Sequence, residues 1–374
     1  MNSYSSSWYP IEDIDQLDTP ALVVYPERVK ANIQAALDMI GDVARLRPHV
    51  KTNKSTEVIQ MMLEMGIYQF KCATIAEAEM VALAGAKDIL LAYQPVGPKA
   101  HRLLDLISHH SDVTFSCLVD HASTVQNLSE LAQRKGIELS VYIDLNLGTN
   151  RTGIAPGQEA EALYEQVKET AGLRIQGFHA YDGHFRNPDF NERKKACDLA
   201  FAPVEAMAKS LKDKGYSDPE IIAGGTPTFT IHLQRENVIC SPGTFVYWDA
   251  GYNQVLSEQP FEPAALVITR VISLPDKGLV TVDLGHKSIA SENPLNNRVR
   301  FLNTDRVLEP VSQSEEHLVL KTDEDHEFKP GDVLYGVPFH ICPTVALYER
   351  VRAIRDQHLA EEWWTKARDK KLNW

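Results

Sequence analysis

The chain has 374 residues, of which 44% are hydrophobic and 24% charged, and a formal net charge of −13. That length exceeds one ordinary core, so a large barrel with an added domain, or two ordinary domains, is expected. The composition excludes a disordered chain, and the acidic balance excludes a general nucleic-acid-binding surface. No apolar run reaches the ~20 residues that cross a bilayer, so no membrane role is expected.

The opening "MNSYSSSWYPIEDIDQLD" lacks the apolar stretch of a secretory signal. The five cysteines are scattered and odd in number, which points to reduced thiols and a cytoplasmic home. A first strand candidate, "PALVVY" (20–25), fits either half of the chain. Short apolar runs follow at 44–50, 69–75, 88–94, 115–120, 140–146, 175–181, 220–225 and 238–247. Amphipathic stretches separate most of them, and "IAEAEMVALAGA" (75–86) has helical spacing with a glycine near its end. Strands alternating with helices predict parallel βαβ units, and eight such runs predict an α/β fold of the (β/α)8 TIM-barrel type. A doubly wound sheet is the alternative, weakened because no Gly-x-Gly-x-x-Gly follows the first strand.

The pattern changes near residue 260. "AALVITRVISL", "LVTVDLG", "RVRFLN", "EEHLVLK", "GDVLYGV" and "TVALYERVRAI" are short β-rich runs between turn signals, which predicts a mostly antiparallel β domain. The expected division is a barrel over 17–258 and a β domain over 259–374, which residues 1–25 could join.

Lysine is ordinarily a solvated surface residue. Lys51, however, follows "LRPHV", and barrel chemistry sits at the C-terminal ends of strands. Partial desolvation there, with Arg47 and Lys54 nearby in sequence, would favour the neutral amine that acts as a nucleophile. "AGGTPTF" (223–229) places Gly224, Gly225 and Thr226 after the seventh run. Glycines let backbone N–H groups approach a phosphate, and threonines add hydroxyls. Gly243 and Thr244 in "SPGTFVY" could complete such a cradle; a plain strand-ending turn explains "AGGTPTF" as well. Arg151 in "LNLGTNRTGI" could pair with an anionic oxygen of a cofactor or substrate, or make a surface salt bridge. In "HAYDGH", Tyr181 could pack on a planar cofactor and His184 could move protons. A buried tyrosine and a loop histidine are the plainer alternative. His340 and Cys342 in "FHICPT" are two apart, which on an extended segment puts both on one face. Imidazole with thiolate favours zinc, although two ligands do not make a site.

"LDTPALVVYPERVKANI", "LRPHVKTNKS", "FKCATIAEAEMVALAGAKDILLAYQPVG", "DLNLGTNRTGI", "HAYDGH", "GGTPTF", "SPGTFVY", "SEEHLVL" and "HICPT" together resemble the D-threonine aldolase / D-serine dehydratase family. Members share the alanine racemase-like fold of pyridoxal phosphate enzymes. The resemblance runs from about Leu17 to Arg350. It implies Lys51 as the Schiff-base lysine, Arg151 facing the cofactor ring, Tyr181 behind or beside the ring, and Gly224, Gly225 and Thr226 as the phosphate cradle. It further implies His340 and Cys342 as ligands of a divalent metal, zinc first, with manganese or magnesium as alternatives. A D-3-hydroxy amino acid is the implied substrate, and a head-to-tail homodimer the implied assembly. Aldolase chemistry, giving glycine and an aldehyde, is placed ahead of dehydratase chemistry, giving a 2-oxo acid and ammonia.

Three positions depart from the family pattern. Asn53 stands where a histidine is frequent. Ser241 stands where racemases carry the arginine that faces the pyridine nitrogen, which argues against a racemase. Cys342 follows the dehydratases, since aldolases usually carry His-x-Asp there. A pyridoxal phosphate carrier without strong catalysis is the reading from another class, and the β-rich second half argues against it.

Overall fold

The computed structural model describes residues 8–372. The chain divides into two compact units, each described here by itself. One holds the described residues up to Ala35, Thr52–Glu57 and Thr244–Arg368; the other holds Ala36–Lys51, Val58–Gly243 and the described residues from Asp369 onward. Strands are numbered along the chain; β1 (Ala21–Val24) belongs to the first of these units.

In the second unit, parallel strands follow one another in sequence order: β2 (Gln69–Cys72), β3 (Asp88–Leu91), β4 (Thr114–Val119), β5 (Leu139–Asp144), β6 (Leu173–Ala180), β7 (Glu220–Ala223) and β8 (Val238–Cys240). Residues 46–50 close the ring as its eighth stave. Leu46 bridges Cys240 of β8, and His49 bridges Lys71 of β2, both in parallel. The Arg47 amide donates to the Cys240 carbonyl at 2.8 Å, and the Val50 amide to the Lys71 carbonyl at 2.8 Å. Pro48 has no N–H to give to the ladder, but its carbonyl accepts from the Lys71 amide at 2.8 Å. The expected barrel is therefore present, with a stave of isolated bridges where the first strand was predicted.

Helices connect the staves, as parallel pairing requires. Ile75–Leu83 shows how locally they are written: Thr74 caps it by accepting from the Glu77 amide at 3.1 Å, and Glu77 reaches back to the Ala73 amide at 2.6 Å. Inside the ring, Leu90, Leu118, Tyr142 and Ile222 form one buried layer. Layered side chains fill such a barrel, so it is a packed core and not a pore. Beneath that layer Arg47, almost wholly buried, makes a two-pronged pair with Asp88 at 2.7 and 3.0 Å. One irregularity interrupts the ring. Between Val141–Ile175 and Tyr142–Gly177 the register of β5 with β6 shifts by one residue, leaving Gln176 unmatched.

The other unit is a β structure. Its sheet runs β12 (Glu309–Gln313), β13 (Leu318–Lys321), β10 (Leu279–Val282), β9 (Ala265–Ser273), β1, β15 (Arg350–Arg355) and β16 (His358–Trp364). β14 (Val333–Pro338) pairs with both β9 and β11 (Val299–Phe301). β1 pairs antiparallel with β9 and parallel with β15, so the strand that fitted either half by sequence lies in this sheet. Val23, Leu266, Ile268, Tyr335, Val337 and Ile354 are among the apolar side chains at its core. The run "TVALYERVRAI" is not one strand. Ile341–Leu347 is a helix and β15 starts at Arg350; the run carries apolar residues in both periods, and the pattern alone does not separate them.

Candidate active site

In the barrel unit the chemistry-bearing residues lie where staves end. Lys51 directly follows the 46–50 stave, and its amide donates to His49 Nδ1 at 3.3 Å. His49 and Lys71 are partners across the parallel bridge, and therefore project to one side of this stave and β2. That side is the interior, because Lys71 Nζ lies 3.4 Å from His179 Nε2 on β6, which is not a neighbour of β2 in the sheet. His179 Nδ1 lies 2.7 Å from Asp144 Oδ1 at the end of β5. Lys71, His179 and Asp144 are all buried. Burial, then the charge of Lys51, brings the Lys71 ammonium down to about 7, against the pull of Asp144 and Asp182. Burial and Lys71 also hold His179 below its ordinary range, although Asp144 pulls the other way.

Arg151 and Tyr181 meet. The guanidinium carbon stands 5.1 Å from the Tyr181 ring centroid, and Lys71 Nζ stands 5.9 Å from it. Asp144, Thr149, Arg151, Thr152, His179 and Tyr181 line a cavity at this end of the barrel. His184 lies on the rim: it is exposed, and its Nδ1 is 3.1 Å from Thr149 Oγ1.

The glycine turns fit closely against Tyr181. Gly224 has a left-handed φ of +71°, which suits glycine. A Cβ on Gly225 would come within 3.0 Å of the Tyr181 ring, and one on Gly183 within 2.2 Å of its hydroxyl. The Gly243 amide donates to Thr226 Oγ1 at 3.3 Å, which ties the two turns together. Asp182, fully buried, anchors them from below. It accepts from Thr228 at 2.5 Å, from Cys197 at 3.3 Å and from His232 Nε2 at 2.6 Å. Burial would raise the Asp182 carboxyl, but His232, Thr228 and Cys197 outweigh it and hold it below the usual range.

Asp182, Cys197 and His232 also group three donor atoms that suit a metal. Their hydrogen bonding gives them another role. An arginine can only donate, and Arg235 Nη1 reaches His232 Nδ1 at 3.3 Å, so Nε2 carries the proton given to Asp182. Burial keeps the Cys197 sulfur a thiol by pushing its pKa upward, whereas a metal needs the thiolate.

Ser241 and Asn53, the two departures near the lysine, are used by the backbone. The Ser241 hydroxyl donates to the Arg47 carbonyl at 2.7 Å. Asn53 Oδ1 accepts from the Ser55 amide at 3.1 Å, a local side-chain turn.

In the β unit, His340 and Cys342 come together, but not on an extended segment. β14 ends at Pro338, His340 is the cap of the helix Ile341–Leu347, and Cys342 lies in its first turn. His340 Nδ1 bonds Glu292. Burial lowers the affinity of His340 for a proton, but Cys342, Glu292 and Asp249 outweigh it and raise its pKa to about 9. Cys342 Sγ lies 3.1 Å from Thr52 Oγ1 and 3.7 Å from Thr244 Oγ1. Thr244 thus belongs to the β unit, beside Cys342, and not to the unit that holds Gly243.

Two domain families match this chain, alanine racemase, N-terminal domain, over residues 24–250, and "Putative serine dehydratase domain" over residues 264–354. The chain belongs to the alanine racemase N-terminal domain family. Its fold is the alanine racemase-like one, a barrel of parallel staves with a mostly β C-terminal domain. A 3-hydroxy-D-aspartate aldolase of Paracoccus denitrificans (strain Pd 1222) is 27% identical over 96% of this chain and 95% of its own. A D-threo-3-hydroxyaspartate dehydratase of Delftia sp. (strain HT23) is 25% identical over 93% of this chain and 97% of its own. The crystal structure of D-threonine aldolase from Filomicrobium marinum superposes with a TM-score of 0.87 and 26% identity, covering 98% of this chain and all of that one.

Within this family frame, sequence reasoning missed Lys71, His179, Asp144 and Asp182. Three of them carried a signal. Lys71 is a charged residue in the middle of the apolar run "QFKCATI", where a lysine is buried only for a reason. Asp144 and His179 are polar interruptions of two other predicted strands.

Proposed function

We propose that this protein is a pyridoxal phosphate-dependent lyase of D-3-hydroxy amino acids, with retro-aldol cleavage of the D-threonine aldolase type as its main reaction. One observation carries the reading. Lys51, Arg151, Tyr181 and the glycine turns all emerge at the C-terminal ends of staves of one barrel, around one face. These residues fit a planar anionic aldehyde: an amine for its carbonyl, an aromatic ring with an arginine over it, and turns so tight that an added Cβ would strike Tyr181. The full-length similarity to aldolases of such substrates supports the same conclusion.

In this proposal Lys51 holds the cofactor aldehyde, and Gly224, Gly225, Thr226 and Gly243 hold its phosphate through backbone N–H groups. Arg151 and Tyr181 orient the ring. Pyridoxal phosphate, when bound, supplies the electron sink for the pair left by a broken Cα–Cβ or Cα–H bond. His184, exposed at the rim with Thr149 on its Nδ1, exchanges protons with solvent. His340 and Cys342 would hold a divalent metal, zinc by their chemistry, which would supply a Lewis acid.

The second reading is dehydratase chemistry, favoured by Cys342 and by the dehydratase-type C-terminal domain. One incubation separates the two. Protein with pyridoxal phosphate and zinc or manganese is mixed with D-threonine or D-serine, and products are identified by mass. Glycine plus acetaldehyde is expected; a 2-oxo acid plus ammonia would move the assignment to the dehydratase, and neither would overturn the proposal. Cys342→Ala is expected to lose the metal and most activity while keeping the cofactor, and full activity in EDTA would remove the metal from this account. The same reading takes the working form as a cytoplasmic homodimer, which a light-scattering mass of a single chain would contradict. Among the described residues, no helix is long and apolar enough to cross a membrane.

A further inference from the structure

Asp182 has no part in the proposed chemistry, yet its buried carboxylate ties together two pieces of the site. Its oxygens have different partners. Oδ1 accepts from the Thr228 hydroxyl at 2.5 Å, at the end of the short helical turn Thr226–Thr228. Oδ2 accepts from His232 Nε2 at 2.6 Å and from the Cys197 thiol at 3.3 Å. His232 packs so closely on Gly224 that a Cβ added there would lie 3.1 Å from its own. Its tautomer is set from the other side, because Arg235 Nη1 donates to Nδ1 at 3.3 Å. The entry of the glycine turn is held by backbone: the Ser241 amide donates to the Ala223 and Gly224 carbonyls at 3.1 and 3.0 Å. Its exit is held by Asp182. Tyr181 precedes Asp182 in the chain, and a Cβ on Gly225 would come within 3.0 Å of the Tyr181 ring. One carboxylate therefore fixes the turn and the aromatic ring relative to each other.

We propose that Asp182 is a positioning residue for the cofactor phosphate: through Thr228 and His232 it holds the Gly224–Thr226 turn in the shape that receives the phosphate, and it seats that turn against Tyr181. Asp182 touches neither the phosphate nor the ring in this scheme. It moves no proton and acts only by keeping the turn's amides where they meet the anion. A bond from a backbone N–H to an anion is charge-assisted and depends on alignment, so a turn whose support is loose loses it. Glycine makes the support necessary, since without a Cβ the backbone at 224 and 225 has more conformations open to it. Pyridoxal without its phosphate makes no use of the turn, so the effect is confined to one end of the cofactor.

This role rests on the reading that the turns hold the phosphate, and the test keeps the two apart. Full-length protein freed of cofactor is titrated with pyridoxal phosphate and, separately, with pyridoxal, and both dissociation constants are read from the bound-ligand absorption band. Their ratio measures what the phosphate contributes, since the Lys51 amine is common to both ligands. Thr228→Val removes only the hydroxyl that Oδ1 receives, and Asp182→Ala removes the acceptor. Each is expected to weaken pyridoxal phosphate by at least ~10-fold, as for one lost hydrogen bond to a charged group, and pyridoxal by less than ~3-fold. Thr228→Ser keeps the hydroxyl and is expected to keep the wild-type ratio. Asp88→Ala, which breaks the buried pair with Arg47 at the start of β3, is expected to lower the melting temperature without changing the ratio. Thermal melting reports whether each variant folds. A folded Thr228→Val protein with the wild-type ratio would overturn the inference. So would an equal loss for both ligands, a ratio that falls as far in Asp88→Ala, or one that falls as far in Thr228→Ser. A wild-type protein that binds pyridoxal as tightly as its phosphate would instead overturn the cradle reading itself.

Discussion

The two units handle charge in opposite ways. The barrel unit buries it and connects it: Arg47 with Asp88, Lys71 with His179 and Asp144, and Asp182 with His232, Cys197 and Thr228. The β unit keeps most of its ion pairs at the surface, such as Lys287 with Glu315 and Glu316, Arg350 with Glu362, and Arg355 with Glu361. Its core is aliphatic and aromatic. A buried ionic group is expensive to leave unpaired, whereas an exposed pair contributes little. The barrel interior spends stability on placing groups for chemistry, whereas the β unit's corresponding pair, His340 with Glu292, stays partly exposed.

That contrast can be tested in order of effect. Lys51→Ala should abolish the bound-cofactor absorption band and lower activity by ~10³-fold or more; a retained band would remove Lys51 from its role. Asp182→Ala, which strips three donors of their buried acceptor, should destabilise the protein by about 3 kcal/mol in denaturant titration. A loss below ~0.5 kcal/mol would mean that the network is dispensable. The Asp182 carboxyl is held low in the folded state, so its contribution is present above the unfolded value of ~4 and is lost as pH falls through the lower folded value. The acid limb of the stability curve should therefore flatten in Asp182→Asn.

Lys71→Met should act in the other direction and raise stability by about 1–2 kcal/mol near pH 7. The folded state holds this lysine at about 7, below its unfolded value of ~10.4. Folding then excludes a proton over that window, a cost that is full at the lower end and absent above the upper end. The gain should fade as pH rises toward 10, and an equal gain at every pH would contradict the assignment. Lys287→Ala, at the exposed pair, should leave the denaturant midpoint unchanged within error. A larger effect would erase the contrast between the units.

Much of the barrel was legible in the sequence because its staves are short apolar runs between amphipathic helices, and Lys51, Arg151, Tyr181 and the glycine turns fall at their ends. The closing stave was legible as extended chain, but Pro48 leaves it with isolated bridges. The β unit was harder to read. Glu309–Gln313 is a polar edge strand, His358–Trp364 mixes apolar and polar residues without regular alternation, and the helix carrying Cys342 shares a run with β15. The interior network was not legible in advance. A lone lysine, histidine or aspartate in a strand becomes a connected set only when the ring closes and brings β2, β5 and β6 to face one another.

The unmatched Gln176 has a consequence for that ring. Side chains alternate between the two faces of a strand, so one extra residue reverses the phase of everything after it. Upstream of Gln176, β6 is in one phase; downstream, Gly177, His179 and Tyr181 take the inward one, and His179 comes level with Asp144. Gly177 makes the step sterically feasible, since a Cβ there would lie 2.0 Å from the Glu220 carbonyl oxygen. Excising Gln176 would keep Ile175 opposite Val141 and Gly177 opposite Tyr142 in plain alternation, so His179 and Tyr181 would still face inward and only the local bend and twist that the extra residue gives the ring would be lost.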